Sequence, residues 1–142
     1  MNEWQCVHVD ASVKEVVTSL TDQLRAGQIA IFAVYDHAAN ARSAGLKLPE
    51  VTVIVFGSPV VGTALMQDNP DTGYELPLRI LIRADGQNTT IRYRDPQWLV
   101  DEYRLTESRP TVQRLSQLLR DLVSQIAAEL AQRSRTFVEV AS

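Results

Sequence analysis

The chain has a single cysteine, Cys6, in 142 residues. An intramolecular disulfide and a multi-cysteine metal centre are therefore excluded, and a reducing compartment is the expectation. His8 lies two residues on, but that pair is too thin for a Cys–His catalytic site or a metal site, so no metal or cofactor is expected. Long apolar runs are missing too. Neither residues 29–35 nor Val51–Phe56, the latter interrupted by Thr52, is nearly long enough to cross a bilayer. Met1-Asn2-Glu3-Trp4-Gln5 has neither the basic nor the apolar segment of a secretory leader. A basic excess is also absent: 14 Lys and Arg face 17 Asp and Glu, for a net charge of −3 and a pI near 5.3. That balance counts against a phosphate-backbone partner. The expectation is a cytoplasmic protein that binds neither nucleic acid nor membrane.

What is present is ordinary globular material, 45% apolar and 22% charged. One domain over residues 1–142 is large enough to bury a core. Residues 4–10 alternate like a strand. Ser12-Val13-Lys14-Glu15 forms a capping box, and Val13, Val16, Val17, Leu20 and Leu24 follow at helical spacing before Gly27. Residues 29–35 read as a continuous apolar strand covered on both faces. Asp36 can cap a helix closed by Gly45. Residues 51–56 form a third strand, and residues 60–68 a short helix. Residues 77–84 and 89–94 make a hairpin about Asp85-Gly86. Asp95-Pro96 opens a helix to about Tyr103. Phe32, Val34, Val53, Val55, Leu78, Ile80 and Ile82 should be largely buried.

After a linker at 106–110 comes a long amphipathic helix. Apolar residues at 112, 115, 119, 122 and 126 are flanked by Leu118, Val123 and Leu130. The stripe is wide enough to cover the domain's own sheet and leave a margin for a second subunit, which predicts a homodimer. Alternatively, one sheet face absorbs the whole stripe. Residues 136–140 read as a brief terminal strand. The element order predicts an α+β fold: two layers, a mixed sheet of about five strands packed by helices, and a long C-terminal amphipathic helix.

Three places could carry chemistry. The connections 36–50 and 57–76 are long enough for crossovers between parallel strands. If both are crossovers, Asp36, His37, Ser58 and Thr63 gather at one carboxyl edge of the sheet, where ligands of open α/β sheets bind. His37 would then serve as a base or a ligand contact; otherwise Asp36 is only a cap and His37 a solvated first-turn residue. Gly57-Ser58-Pro59-Val60-Val61-Gly62-Thr63 lacks the Gly-Lys-Ser/Thr ending of a phosphate loop; a helix N-terminus there can still bind an anion, but a tight packing turn is the plainer reading. Arg79, Arg83, Arg92 and Arg94 form the third group. A two-residue hairpin loop sets Arg79 opposite Arg92, and a four-residue loop sets it opposite Arg94. Opposed like charges need carboxylates, for which Glu75, Asp95, Asp101 and Glu102 are at hand, or they bind an anion.

Six ordered blocks carry a resemblance. They are Asp36-His37-Ala38-Ala39, Gly45-Leu46-Lys47-Leu48-Pro49, Phe56-Gly57-Ser58-Pro59, Gly62-Thr63-Ala64-Leu65-Met66, Leu76-Pro77-Leu78-Arg79 and Tyr93-Arg94-Asp95-Pro96. Together they resemble domain of unknown function family 302 over roughly residues 10–105, with residues 106–142 as a helix and tail beyond this core. The resemblance implies a small α+β domain that often dimerises, and no established reaction. The chain departs from the family pattern at Ser58, Val60 and Ala64, where asparagine, lysine and proline are usual. The combined expectation is a binding or regulatory module for a small anionic or polar ligand, with Asp36, His37, Ser58, Thr63, Arg79 and Arg92 as candidate contacts. The rivals are a hydrolase- or isomerase-like enzyme using His37 as acid or base, and a structural, partner-binding dimer. Ligand identity is not legible in the sequence.

Overall fold

Alternation of apolar and polar residues sets the centre of the molecule. The computed structural model describes residues 3–141, with side chains through Arg135. In chain order the elements are β1 (Trp4–Val9), α1 (Val13–Ala26), β2 (Ala30–Asp36), α2 (His37–Ser43), β3 (Val51–Gly57) and α3 (Pro59–Asp68). A 3-10 turn over Pro70–Tyr74 leads to β4 (Leu78–Asp85), β5 (Asn88–Arg94), α4 (Trp98–Glu102) and α5 (Arg109–Ala141). The strands lie in the order β1-β5-β4-β3-β2, and every neighbouring pair is antiparallel. The α+β class, the five strands and the long terminal helix agree with the sequence reading. The sheet is not mixed: a long connection permits a parallel crossover but does not require one.

One face of this sheet is the core. Ile54 and Phe56 of β3, Ile80 and Ile82 of β4, and Ile91 and Tyr93 of β5 are buried against α1 and α5. From α1 come Val13, Val16, Leu20 and Leu24; from α5 come Leu119, Val123, Ile126 and Leu130. The start of α1 is fixed by Ser12, whose hydroxyl accepts from the Glu15 N–H at 3.1 Å and donates to the Glu15 carboxylate at 3.2 Å. The glutamate thus closes the capping box on the hydroxyl. The stripe of α5 is mostly covered within the subunit, and among its large apolar residues through Arg135 Leu118 alone is exposed, at 47%. Residues 136–140, expected as a strand, continue α5. A smaller cluster of Leu65, Leu99, Val100, Leu105 and Val112 joins α3, α4 and the start of α5.

Two local readings need correction. β2 is an edge strand, so it is not covered on both faces: Phe32 is 53% and Val34 46% exposed. Its register with β3 slips between Ile31 and Ala33, which makes Phe32 a bulge. Of the other expected core residues, Ile80 and Ile82 are fully buried and Val55 nearly so, while Val53 and Leu78 are half-buried. The second correction concerns the hairpin. Asp85 pairs with Asn88, so the loop is Gly86-Gln87, with Gly86 at a φ of 60°. That one-residue shift places Arg92 opposite Leu81, not opposite Arg79.

Candidate functional site

The alternation that turns Ile80 and Ile82 inward turns Arg79, Leu81 and Arg83 outward. On β5 it turns Arg92 and Arg94 to the same side, because Leu81 pairs with Arg92 and Cys6 pairs with Arg92 from β1. Arg79, Arg83 and Arg92 are exposed there. They border a cleft of about 770 Å³ whose floor includes half-buried Val53 and Leu81. Trp4, Trp98, Tyr74 and Glu75 complete the rim.

Two indoles organise the arginines. The Arg94 guanidinium carbon lies 3.6 Å from the Trp98 ring centre and 5.8 Å from that of Trp4. The Arg92 guanidinium lies 4.5 Å from the Trp4 ring centre. The order Trp98, Arg94, Trp4, Arg92 therefore alternates ring and cation, an arrangement worth about 0.5–1 kcal/mol per exposed contact. Arg94 is committed inside the protein: it pairs with Glu3, and its Nε is buried without a hydrogen-bond partner. Arg79, Arg83 and Arg92 differ. Among the described residues no carboxylate lies within ion-pair distance of them. Arg83 donates to the Ala84 carbonyl at 3.3 Å.

Two of the carboxylates that could have neutralised them, Glu75 and Asp95, are engaged elsewhere. Glu75 accepts from the Tyr103 hydroxyl at 2.8 Å, and this hydrogen bond, with a smaller contribution from burial, pushes the tyrosine pKa up to about 12. Asp95 accepts from Ser116 Oγ at 2.6 Å and from Arg120 at 3.0 Å, which ties the entry of α4 to α5. Guanidinium groups stay charged throughout the working pH range and present paired donors suited to carboxylate or phosphate. Three of them beside an apolar floor and aromatic walls can hold an anion with a flat apolar body.

The other sequence candidates do not converge. Asp36 caps α2 by accepting from the Ala39 N–H at 2.9 Å, and His37 is exposed in the first helical position. Ser58 and Thr63 follow the far end of β3. The register Asp36 with Thr52 and Ala30 with Gly57 separates the two groups by five residues of strand, about 17 Å at the usual rise. The expected single edge site over Asp36, His37, Ser58 and Thr63 is therefore not formed: antiparallel pairing sends the ends of β2 and β3 in opposite directions. Ser58 and Thr63 line a separate apolar pocket, with Gly57 and Pro59. Sequence reading missed Trp4 and Trp98. Neither carries a local signal, since Trp4 becomes a neighbour of Arg94 only through the pairing of β1 with β5. Among the described residues no three His, Cys, Asp or Glu side chains cluster as a metal site.

The chain resembles solved and curated proteins. A DUF302 protein from Bacillus stearothermophilus, described as an uncharacterized conserved protein, has a crystal structure that matches with a TM-score of 0.71. The match covers 92% of this chain and 99% of that one at 14% identity, and so speaks for the fold alone. Fluoride-specific ion channel FluC 1 of Brucella suis biovar 1 (strain 1330) is 37% identical over 95 residues, which are 66% of this chain and 37% of that protein. FluC 1 of Brucella abortus biovar 1 (strain 9-941) matches at the same identity over 35% of its length. The chain thus spans about a third of the length of these curated relatives. No helix among the described residues is long and apolar enough to cross a membrane. The family Domain of unknown function DUF302 matches residues 5–126, from the first strand to the middle of α5, and the chain belongs to it.

Proposed function

We propose that the chain is a binding module for a small organic anion, seated in the arginine cleft. The observation that supports this reading is the trio Arg79, Arg83 and Arg92 on one open sheet face with no carboxylate partner among the described residues. Arg92 pairs with Leu81 and so stands diagonal to both Arg79 and Arg83, and a bound anion offsets the mutual repulsion of three neighbouring cations. The cleft volume of about 770 Å³ lies in the range of small-molecule sites and far exceeds a single inorganic ion. Val53, Leu81 and the Trp4 ring offer the body of such a ligand an apolar surface. The acid–base reading at His37 draws no support, because Ser58 and Thr63 lie at the other end of β3. In the Brucella relatives, the part that resembles this chain is about a third of a protein named for a fluoride channel. We read the module there as a regulatory domain carried beside the channel.

Isothermal titration with citrate, pyrophosphate, ADP and salicylate at low ionic strength tests the reading. At least one of them should bind saturably, and Arg79→Ala with Arg92→Ala should weaken that binding at least tenfold. Sodium fluoride should give no saturable heat. Failure of all four organic and phosphate probes, or equal binding by the double variant, overturns the reading.

A further inference from the structure

The apolar pocket that holds Ser58 and Thr63 is distinct from the arginine cleft in its chemistry. It is a partly open cleft of about 400 Å³ between the end of β3, α3, the Leu76-Pro77 segment and α5. Apart from Ser58 and Thr63, every lining side chain is apolar or the residue is glycine, and no charged group borders it. We propose that this pocket is a second ligand site, for a small, uncharged, mainly apolar molecule.

The glycines carry the argument. Three of the six in the chain, Gly57, Gly62 and Gly73, line this one pocket. Gly45 and Gly86 have φ values of 76° and 60°, which favour glycine, and nothing lies near their missing side chains. The three pocket glycines are the reverse case. None has a positive φ, so backbone conformation does not call for glycine there. A Cβ at Gly57 would meet Phe32 at 3.7 Å and Pro77 at 3.8 Å. One at Gly62 would meet Leu76 and Met66, both at 3.8 Å, and one at Gly73 would meet the Met66 sulfur at 3.3 Å. All four of these neighbours, Phe32, Pro77, Leu76 and Met66, line the pocket, so side chains added at the glycines would be set among its lining residues. Gly62 sits inside α3, where glycine is a weaker helix former than alanine. At 3.8 Å an alanine methyl would fit sterically. What glycine preserves at that position is volume.

Charge complementarity selects the class of occupant. An ionised ligand would lose its water here and find no counter-charge, whereas an apolar one gains from burial. The polar provision is small and suits one oxygen or nitrogen. Ser58 occupies the N-cap of α3 without making a side-chain capping bond, which leaves its hydroxyl free to serve a ligand beside that of Thr63. This site stands independently of the anion reading, and the two can fail separately.

The probe is N-phenyl-1-naphthylamine, an uncharged dye whose fluorescence rises in apolar surroundings. Titrated into the full chain, it should bind saturably at one site per chain. Gly62→Leu, which grows a side chain into the pocket, should weaken binding at least tenfold while its thermal midpoint stays level or rises. Leu118→Glu, which sets a carboxylate at the wall, should weaken binding to a similar degree. Arg79→Ala with Arg92→Ala should leave the dye affinity unchanged. Absence of saturable dye binding overturns the proposal, as does equal binding by Gly62→Leu. Dye affinity that falls as the protein self-associates overturns it too, since a second copy would then be the occupant.

Discussion

The strand β4 belongs to two regions at once, and they obey different rules. Ile80 and Ile82 are fully buried beneath α1 and α5. Their neighbours Arg79 and Arg83 stand exposed on the other side of the same sheet, with no carboxylate partner among the described residues. One face holds the molecule together by apolar burial. The other keeps charge in the open where internal pairing was within reach. The contrast teaches that stability and recognition are divided here by side of the sheet, and not by segment of the chain.

The covered face gives the largest expected effect. Ile80→Ala removes a fully buried side chain and should cost about 2–5 kcal/mol in denaturant unfolding. A loss below about 0.5 kcal/mol would match an ordinary surface position and would break the comparison outright. Asp95→Ala comes next. It strips Ser116 and Arg120 of their acceptor at a side chain only 13% exposed. About 1–3 kcal/mol should be lost, and equal stability would show that α4 and α5 do not depend on this link.

Two pH effects should be smaller. Asp68 accepts from the hydroxyl and N–H of Ser108 and from Thr106, and these bonds, that of the Ser108 hydroxyl foremost, hold its pKa below the ordinary 3.8. A lowered folded-state pKa gives stability that is present above 3.8 and lost as pH falls below it. Asp68→Asn should make the acid limb of the thermal midpoint shallower. Tyr103 has the opposite sign. Its pKa is raised from 10.0 to about 12, so its contribution is full below pH 10.0 and fades as pH climbs toward 12. Tyr103→Phe should flatten that alkaline limb. The smallest stability effect belongs to the open face: Arg79→Ala should stay within about 0.5 kcal/mol. A loss comparable to that of Ile80→Ala would show that the arginines are structural.

Much of the fold was legible in the sequence because periodicity reports burial directly. The capping box at Ser12, the wide stripe of α5 and the alternation of β4 all read correctly. Sheet direction was not legible. The chain from Asp36 to Val51 is long enough for either a crossover or a return, and nothing local distinguishes the two. That single ambiguity dispersed the expected edge site. The run Ile29–Tyr35 misled for a related reason, since an apolar strand at an edge has the same composition as one in the middle. At the arginine cleft, alternation alone placed Arg79 and Arg83 together. Whether Arg79 faces Arg92 turned on one residue of loop, Gly86-Gln87 in place of Asp85-Gly86. The indoles, contributed from Trp4 and Trp98, came together only through tertiary contacts.

The bulge at Phe32 also bears on how copies of the chain behave in concentrated solution. From Ala30 to Tyr35 the outermost strand carries no charged residue, and its outer rim of backbone donors and acceptors could template endless strand addition. The slip between Ile31 and Ala33 interrupts that rim midway and increases the local twist. An incoming strand cannot then lie flush along the whole length. Asp36 ends the stretch with a carboxylate. The same irregularity that leaves Phe32 outside the core thus makes this edge, one of the sheet's two, a poorer template for continuous strand addition.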